Sequence, residues 1–472
     1  MPDTAPRPLQ PRVVLRRPMA SDAAPTWSGA VWVGGLDVRD VPADADTVIG
    51  LDASDGHATA RLLVRDGTAP LGFVDLPLQD GTFTAGALRR AISALPPAEH
   101  PPVPVRLPST SVVLCTRDRA DQLEGALRSL LALDHPDFEI VVVDNAPSDE
   151  STRDLVTTVF TDPRVRYVRE PTPGLSTARN AGVRAARHEI VAFTDDDVVV
   201  DRGWLRAIAS GFSRGADVDC VSGLVASGEL RTPAQRYFDD RVTWSRNLVP
   251  RVYRLATPPA DRPLFPFSVG DYGTGANFAM RRDALTRLGG FDEALGVGTV
   301  TGGGEDIDMF SRVVLAGSAL VVEPAALVWH RHRADVRALR TQAAGYGTGL
   351  GAWLTKTALR PRTLGMALVR APRAVRHLLV GEAMRPAAAG DPTTDPIATG
   401  PTPTGPTTTS PATPPAAVVG ADAAFEREVA RVRWVELWAV ARGVGRYARS
   451  RRTVLARAAA LQRASGATAV RS

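Results

Sequence analysis

Lysine is almost missing: Lys356 is the only one among 56 basic residues in a chain of 472. A nucleotidyltransferase of the kind that pairs a metal with a Gly-rich, lysine-bearing loop early in its main fold is thereby disfavoured, because Lys356 lies far downstream. Cysteine is scarce too, at two residues, Cys115 and Cys220. That excludes a disulfide framework and any C-x-x-C or Cys/His zinc pattern, and it fits a reducing cytosol. No stretch reaches the roughly 18 consecutive apolar residues of a membrane span. Met1 to Ala20 is rich in proline and arginine without an apolar core, so it does not read as a signal peptide. The net charge of +5 is small for this length and gives no reason to expect nucleic-acid binding.

What is present reads as a globular protein, with 44% hydrophobic and 23% charged residues. Residues 1–30 are expected to be disordered. Residues 31–105 carry short β-type runs such as Ala60-Arg61-Leu62-Leu63-Val64, the mark of a small strand-rich N-terminal domain, and Pro96 to Pro108 reads as a linker. Residues 109–355 alternate strand and helix. Ser111 to Cys115, Phe138 to Val143, Val165 to Arg169 and Ile190 to Phe193 read as strands. Asp121-x-x-Glu124 reads as a capping box, and helices are expected near Glu150 to Val159 and Ser176 to Ala186. Such βα units predict an α/β fold with a doubly wound, largely parallel sheet, whose ligands bind at the carboxyl ends of strands. A basic helical extension is expected over 356–385, a disordered Pro/Thr linker over 386–418 and a second basic helical segment over 420–464.

The chemistry concentrates in three places. Asp195-Asp196-Asp197 follows the apolar strand Ile190 to Phe193. Three adjacent carboxylates are best tolerated with a cation, and Mg²⁺ or Mn²⁺ suits oxygen ligands and bridges to phosphates. Alternation puts Asp195 and Asp197 on one side and Asp196 on the other. The bland alternative is a solvated acidic turn. Gly302-Gly303-Gly304-Glu305-Asp306 opens a helix whose dipole favours ionised carboxylates in its first turn. An ionised carboxylate there accepts a proton from an attacking hydroxyl; ordinary acidic capping is the alternative. Trp329-His330-Arg331-His332-Arg333 offers His330 to complete a metal site, and its arginines suit a diphosphate.

In order along the chain, these segments stand with Thr110 to Arg119, Val141-Val142-Val143-Asp144-Asn145, Pro173 to Gly182 and Gly289-Gly290-Phe291-Asp292. Over roughly residues 109–350 the set closely resembles family 2 glycosyltransferases of the GT-A fold, of the actinobacterial type. The resemblance implies that Thr116, Arg117 and Asp144 line a nucleoside pocket, with Asp144 on the base edge. It implies further that Arg179, Asp195 and Asp196 contact the donor, that Asp197, Asp195 and His330 bind a divalent metal, and that Asp306, or else Glu305, is the catalytic base. Gly275-Ala276-Asn277, Gly290 and Phe291 would border the sugar and acceptor.

The implied activity is inverting transfer of a sugar from a nucleotide-diphosphate donor to an acceptor hydroxyl. The acceptor would be a glycan, a lipid-linked molecule or a small molecule, in cell-envelope or secondary-metabolite assembly. A catalytically inactive nucleotide-sugar-binding or scaffold protein is the alternative, and it predicts a broken triplet or a missing base. The expected location is the cytoplasm, with peripheral contact at the inner membrane face through the basic C-terminal segments; simple packing or a solvated face is the competing reading of those segments.

Overall fold

The computed structural model describes residues 13–370 except 20, 22 and 243, together with residue 372 and residues 416–469. Its N-terminal part contains β1 (Val13–Leu15), β2 (Val31–Asp37), β3 (Val48–Leu51), β4 (Thr59–Asp66), β5 (Ala69–Pro77), β6 (Thr82–Thr84) and α1 (Ala85–Ile92). The strands form two three-stranded sheets, β1-β3-β6 and β2-β4-β5. Alternating residues of β4 supply the core: Leu62 and Val64 pack with Trp32 and Leu88. The other face of the second sheet sends Val31, Val33 and Leu63 against Leu224, Leu327 and Trp329 of the large sheet. Arg65 pairs with Asp201 at 2.6 Å across the same junction.

Disorder through residue 30 is not what the structure has from Val13 onward. Val13–Leu15 pairs in parallel with Val48–Leu51, and Met19 is buried beside Leu230 and Trp329. The short apolar run between arginines is enough for an edge strand once β3 is there to receive it. Residues 1–12 lie outside the described set.

The large sheet starts with β7 (Thr110–Thr116), α2 (Ala120–Leu131), β8 (Phe138–Asn145), α3 (Ser151–Asp154), β9 (Val165–Glu170), α4 (Leu175–Ala185) and β10 (Ile190–Asp195). The strands lie in the order β10-β7-β8-β9, all parallel. Every residue of β7 and β8 is buried, as strands covered on both faces require. Register sets Asp195 beside Cys115 and Thr116 beside Asp144, so the carboxyl ends of three strands finish together. The capping box is not formed: α2 begins at Ala120 with no side-chain cap, and Glu124 instead pairs with Arg128 one turn on.

The second half is mixed. It contains β11 (Val198–Val200), α5 (Trp204–Phe212), β12 (Val218–Ser227), α6 (Pro233–Arg241), β13 (Arg251–Tyr253), β14 (Asn277–Arg281), α7 (Arg282–Arg287), α8 (Glu305–Leu315) and β15 (Ala319–His330). β14 runs antiparallel to both β10 and β12, and β15 is parallel to β12 but antiparallel to β11 and β13. The sequence segments Leu320 to Val322 and Ala326 to Val328 belong to the single strand β15. Pro324 is accommodated where the register with β12 shifts. One apolar core lies on each face of the sheet, around Leu127, Trp204 and Val328 on one side and Phe193, Phe278 and Phe310 on the other.

After β15 the described chain is helical, with α9 (Val336–Ala358), residues 361–370 and α10 (Ala416–Ala469). Glycines let α9 approach backbone on two sides. A Cβ at Gly349 would stand 2.5 Å from the Gly303 carbonyl carbon, and one at Gly351 would stand 2.0 Å from the Val440 carbonyl oxygen of α10. The helix is thus wedged between the Gly302–Gly304 loop and α10. Of the expected extension and linker, residues 361–370 are helical, while 371 and 373–415 lie outside the described residues.

Candidate active site

The carboxyl ends of β7, β8 and β10 open into a cleft of about 900 Å³, closed on its other sides by the Gly298–Asp306 segment, the end of β15 and α9. This is the upper end of the range for small-molecule sites. Thr116, Arg117, Asn145, Arg179, Asp195, Asp196, Asp197, Glu305, Asp306 and His330 all line it, drawn from positions more than 200 residues apart in sequence.

The acidic triplet divides as alternation requires. Asp196 turns to one side, where its carboxylate accepts from Thr116 Oγ1 at 2.7 Å and Arg119 Nη1 at 2.9 Å. Asp195 and Asp197 turn to the other, and one ligand atom from each, with one from His330, lie within 4.8 Å of one another. His330 Nε2 is 3.2 Å from Asp197 Oδ1, and its Nδ1 is 3.0 Å from His332 Nδ1. Burial works against the Asp197 charge, yet His330, Arg119 and Arg333 outweigh it and hold the carboxyl well below its ordinary range. Asp195 has weaker compensation: burial pushes it up to about 6 against the pull of Arg179.

Arg179 is the hub of the floor. It is 2% exposed, donates to Glu305 Oε1 at 3.1 Å and to the Gly275 carbonyl at 3.0 Å, and lies 3.7 Å from Asp195 Oδ1. Its guanidinium also sits over the rings of Phe278 and Phe291. Glu305 is buried, and its Oε2 has no partner. Burial, with Asp306 adding repulsion, pushes Glu305 up to about 7. The helix dipole expected to keep it ionised is outweighed by desolvation. Asp306 is less buried, and its two oxygens accept from the N–H groups of Gly275 (2.9 Å) and Ile307 (2.8 Å).

Three expected sugar or acceptor residues do not reach the cleft wall. Asn277 is fully buried: its Oδ1 accepts from Trp204 Nε1, and its Nδ2 donates to the carbonyls of Leu224 and Ala326. It ties β12 to β15 at their register shift. Phe291 is a core side chain, 3% exposed, packed on Phe193 and Phe278. Gly290, at φ +71°, leaves room for Asn180, whose amide clamps both the N–H and the carbonyl of Phe291. Gly275 and Ala276 do line the cleft. Asp144 lies below the wall with Tyr167 on its Oδ2 at 2.8 Å; its Oδ1 is buried and unpartnered, and burial raises its carboxyl above the ordinary range.

Other cleft residues had no assigned place in the sequence reading. Arg119 follows the end of β7 closely, and that position was its one available signal. Gln342 and Tyr346 come from α9, and Phe238 and Trp244 from the segment after β12. Nothing local in the sequence marks them, because tertiary packing alone brings them to the cleft. The Arg231 to Asp271 region holds α6 and the paired strand β13.

The chain is similar to known proteins over this region. Residues 111–289 match the family described as Glycosyl transferase family 2. A pre-mycofactocin glycosyltransferase of Mycobacterium tuberculosis is 30% identical over 238 residues, 50% of this chain and 46% of that one. A validoxylamine A glucosyltransferase of Streptomyces hygroscopicus subsp. jinggangensis is 28% identical over 238 residues, 46% of this chain and 54% of that one. The chain thus spans about half the length of these relatives. Among solved structures, a mannosyltransferase of Pyrobaculum calidifontis in complex with GDP-Man and Mn²⁺ aligns with 74% of this chain and 90% of its own, at 19% identity and a TM-score of 0.45. The match to the family described as Glycosyl transferase family 2 thus runs from the first strand of the large sheet through the acidic triplet to Gly289.

Proposed function

We propose that the protein is an inverting glycosyltransferase that moves a sugar from a nucleotide-diphosphate donor to an acceptor hydroxyl. The observation that carries this reading is the shared cleft: the Asp195, Asp197 and His330 group faces the same space as Asp306 and Glu305. The donor set of two carboxylates and one imidazole fits Mn²⁺ or Mg²⁺, and the named transferase relatives support the same class. A cation held there supplies positive charge against the departing diphosphate.

The chain's own residues then take these roles. Thr116 and Arg117 border the nucleoside, and Asp144 beneath them, with one buried oxygen unpartnered, accepts from the edge of the base only once the wall above it shifts. Arg119 and Arg333 hold the acidic group compact and oppose phosphate charge from the cleft side. Arg179 fixes the distance between Asp195 and Glu305. Asp306 reaches the cleft with backbone N–H groups steadying its carboxylate, and it takes the proton of the acceptor hydroxyl as that oxygen attacks the anomeric carbon from the face opposite the leaving group. Glu305 is the second choice of base, since its Oε1 is already engaged by Arg179. Orientation of donor and acceptor in one cleft contributes much of the remaining rate. We place the reaction in cell-envelope or secondary-metabolite glycoside assembly, in the cytoplasm.

The experiment is a donor screen. Purified protein is incubated with Mn²⁺ and UDP-, GDP- and dTDP-sugars, and donor hydrolysis and thermal shift are measured. One donor is expected to respond in a metal-dependent way; silence from every donor with and without metal removes the transferase reading.

A further inference from the structure

The outward face of α10 has an unusual make-up for a surface helix. Trp434, Leu437, Trp438, Val444 and Leu455 share that face at helical spacing, and they are 66%, 62%, 67%, 55% and 59% exposed. Val432, Ala439, Gly443, Tyr447 and Ser450 occupy the opposite face and are buried against the body of the protein. The inner face is therefore spent on folding, and it does not account for the apolar outer one. Two exposed tryptophans one turn apart do not belong to an ordinary solvated helix.

Charge narrows what would cover this face. From Trp434 to Arg463 the sequence has seven arginines and one carboxylate, Glu436. Glu436 pairs with Arg241 and does not balance the helix. Arg446, Arg451 and Arg457 bond inward or along the helix, to Val300, Tyr447 and Glu293 respectively. Arg442, Arg449 and Arg452 are exposed and, among the described residues, enter no ion pair. Two copies of the chain meeting through this face would set arginine rows against each other. An anionic surface satisfies both features at once, because it takes tryptophan and leucine into its interfacial layer and attracts the flanking guanidinium groups. No described helix is long and apolar enough to cross a membrane, so contact of this kind stays at the surface.

We propose that the Trp434–Trp438 face of α10 docks on an anionic lipid bilayer. On its inward side the same helix reaches the Val300 carbonyl through Arg446, and Val297 of that loop lines the cleft. The proposal stands on surface chemistry alone and does not depend on which reaction the cleft performs.

The test is co-sedimentation of the full chain with vesicles of phosphatidylcholine alone and of phosphatidylcholine mixed with phosphatidylglycerol. Binding is expected to the mixed vesicles and to weaken as salt is raised. The double variant Trp434→Ala/Trp438→Ala and the charge reversal Arg442→Glu/Arg449→Glu are each expected to weaken binding by at least about tenfold. Both sets of positions are exposed, so thermal melting and metal-dependent donor binding are expected to match those of the parent. Three results would overturn the proposal: no binding to the mixed vesicles, equal binding by parent and variants, or a parent dimer in solution that the tryptophan variant dissolves. The last would make a second copy the occupant. Loss of donor response in the parent, with lipid binding intact, would count against the transferase reading and leave this one standing.

Discussion

Arg179 and Glu305 form a buried pair, with Nη1 to Oε1 at 3.1 Å and side-chain exposures of 3% and 7%. One residue sits on α4 and the other opens α8, so the pair fastens the parallel half of the sheet to the mixed half directly beneath the cleft. Because Arg179 also reaches Asp195, a shift in the helix that carries Glu305 is felt at the acidic triplet.

The pair gives stability a pH dependence. Glu305 is raised from an ordinary 4.5 to about 7 by burial and by the nearby Asp306. Unfolded, its carboxyl ionises near 4.5; folded, it keeps its proton until about 7. Folding therefore takes up a proton in this window, so stability falls as pH rises from about 4.5 to about 7 and levels off above. The fall is on the order of 3 kcal/mol. Glu305→Gln is expected to remove this component of the slope in urea unfolding measured across pH 4.5–8. An unchanged slope would mean that the Glu305 carboxyl titrates normally.

Lys356, the one lysine in the chain, is buried between Asp292 at 2.7 Å and Asp308 at 2.8 Å, and Tyr447 of α10 also donates to Asp292. Lys356→Met removes the cation that pairs with Asp292 and leaves the buried Asp308 with Arg312 alone. The expected loss is about 3–5 kcal/mol in urea unfolding. Lys356→Arg is expected to recover only part of it, since a planar fork does not fit the space of a point charge. A loss below about 1 kcal/mol for the methionine variant would show that water reaches the cluster.

Gly349 meets the backbone of Gly303 and Gly304, with a Cβ at 2.5 Å from one atom and 2.7 Å from another. Backbone cannot rotate away as a side chain does. Gly349→Ala is expected to displace the loop leading into Glu305 and Asp306, at a cost of about 1–3 kcal/mol. Transfer rate is expected to fall by more than donor affinity does, because the proposed donor site draws mainly on the strand ends. Equal loss in both, or in neither, would argue that the loop moves independently of α9.

Asp306→Asn keeps the size of the side chain and the contact with Gly275, and removes the basic oxygen. It is expected to lower kcat by about 10²–10⁴-fold with little change in KM for the donor. Full transfer rate in this variant would move the base to Glu305.

Sequence and structure agree best at the strand ends that line the cleft. The triplet was legible because an apolar run precedes it and because side chains alternate on a strand; that rule alone separates Asp196 from the Asp195 and Asp197 pair. His330 stands out in sequence as one of two histidines among arginines, and the structure sets it at the end of β15. Asn277, Gly290 and Phe291 were misplaced for a common reason: each serves the packing around the site, as a strand tie, a close approach and a core ring, and sequence does not distinguish a residue that touches a ligand from one that holds its neighbours. The contribution of α9 was hidden because its glycines act only against partners far away in the chain. The antiparallel course of β14 was hidden as well, since its apolar run would suit either direction.

The central claim is that Asp195, Asp197 and His330 form the metal-diphosphate end of a donor site. Isothermal titration of the responding nucleotide sugar, with and without Mn²⁺, tests it most directly when parent and Asp197→Ala are compared at one pH. Metal is expected to tighten donor binding in the parent by at least about tenfold and to have almost no effect in the variant, whose fold is checked by thermal melting. Metal-dependent binding of equal strength in both proteins would contradict the assignment.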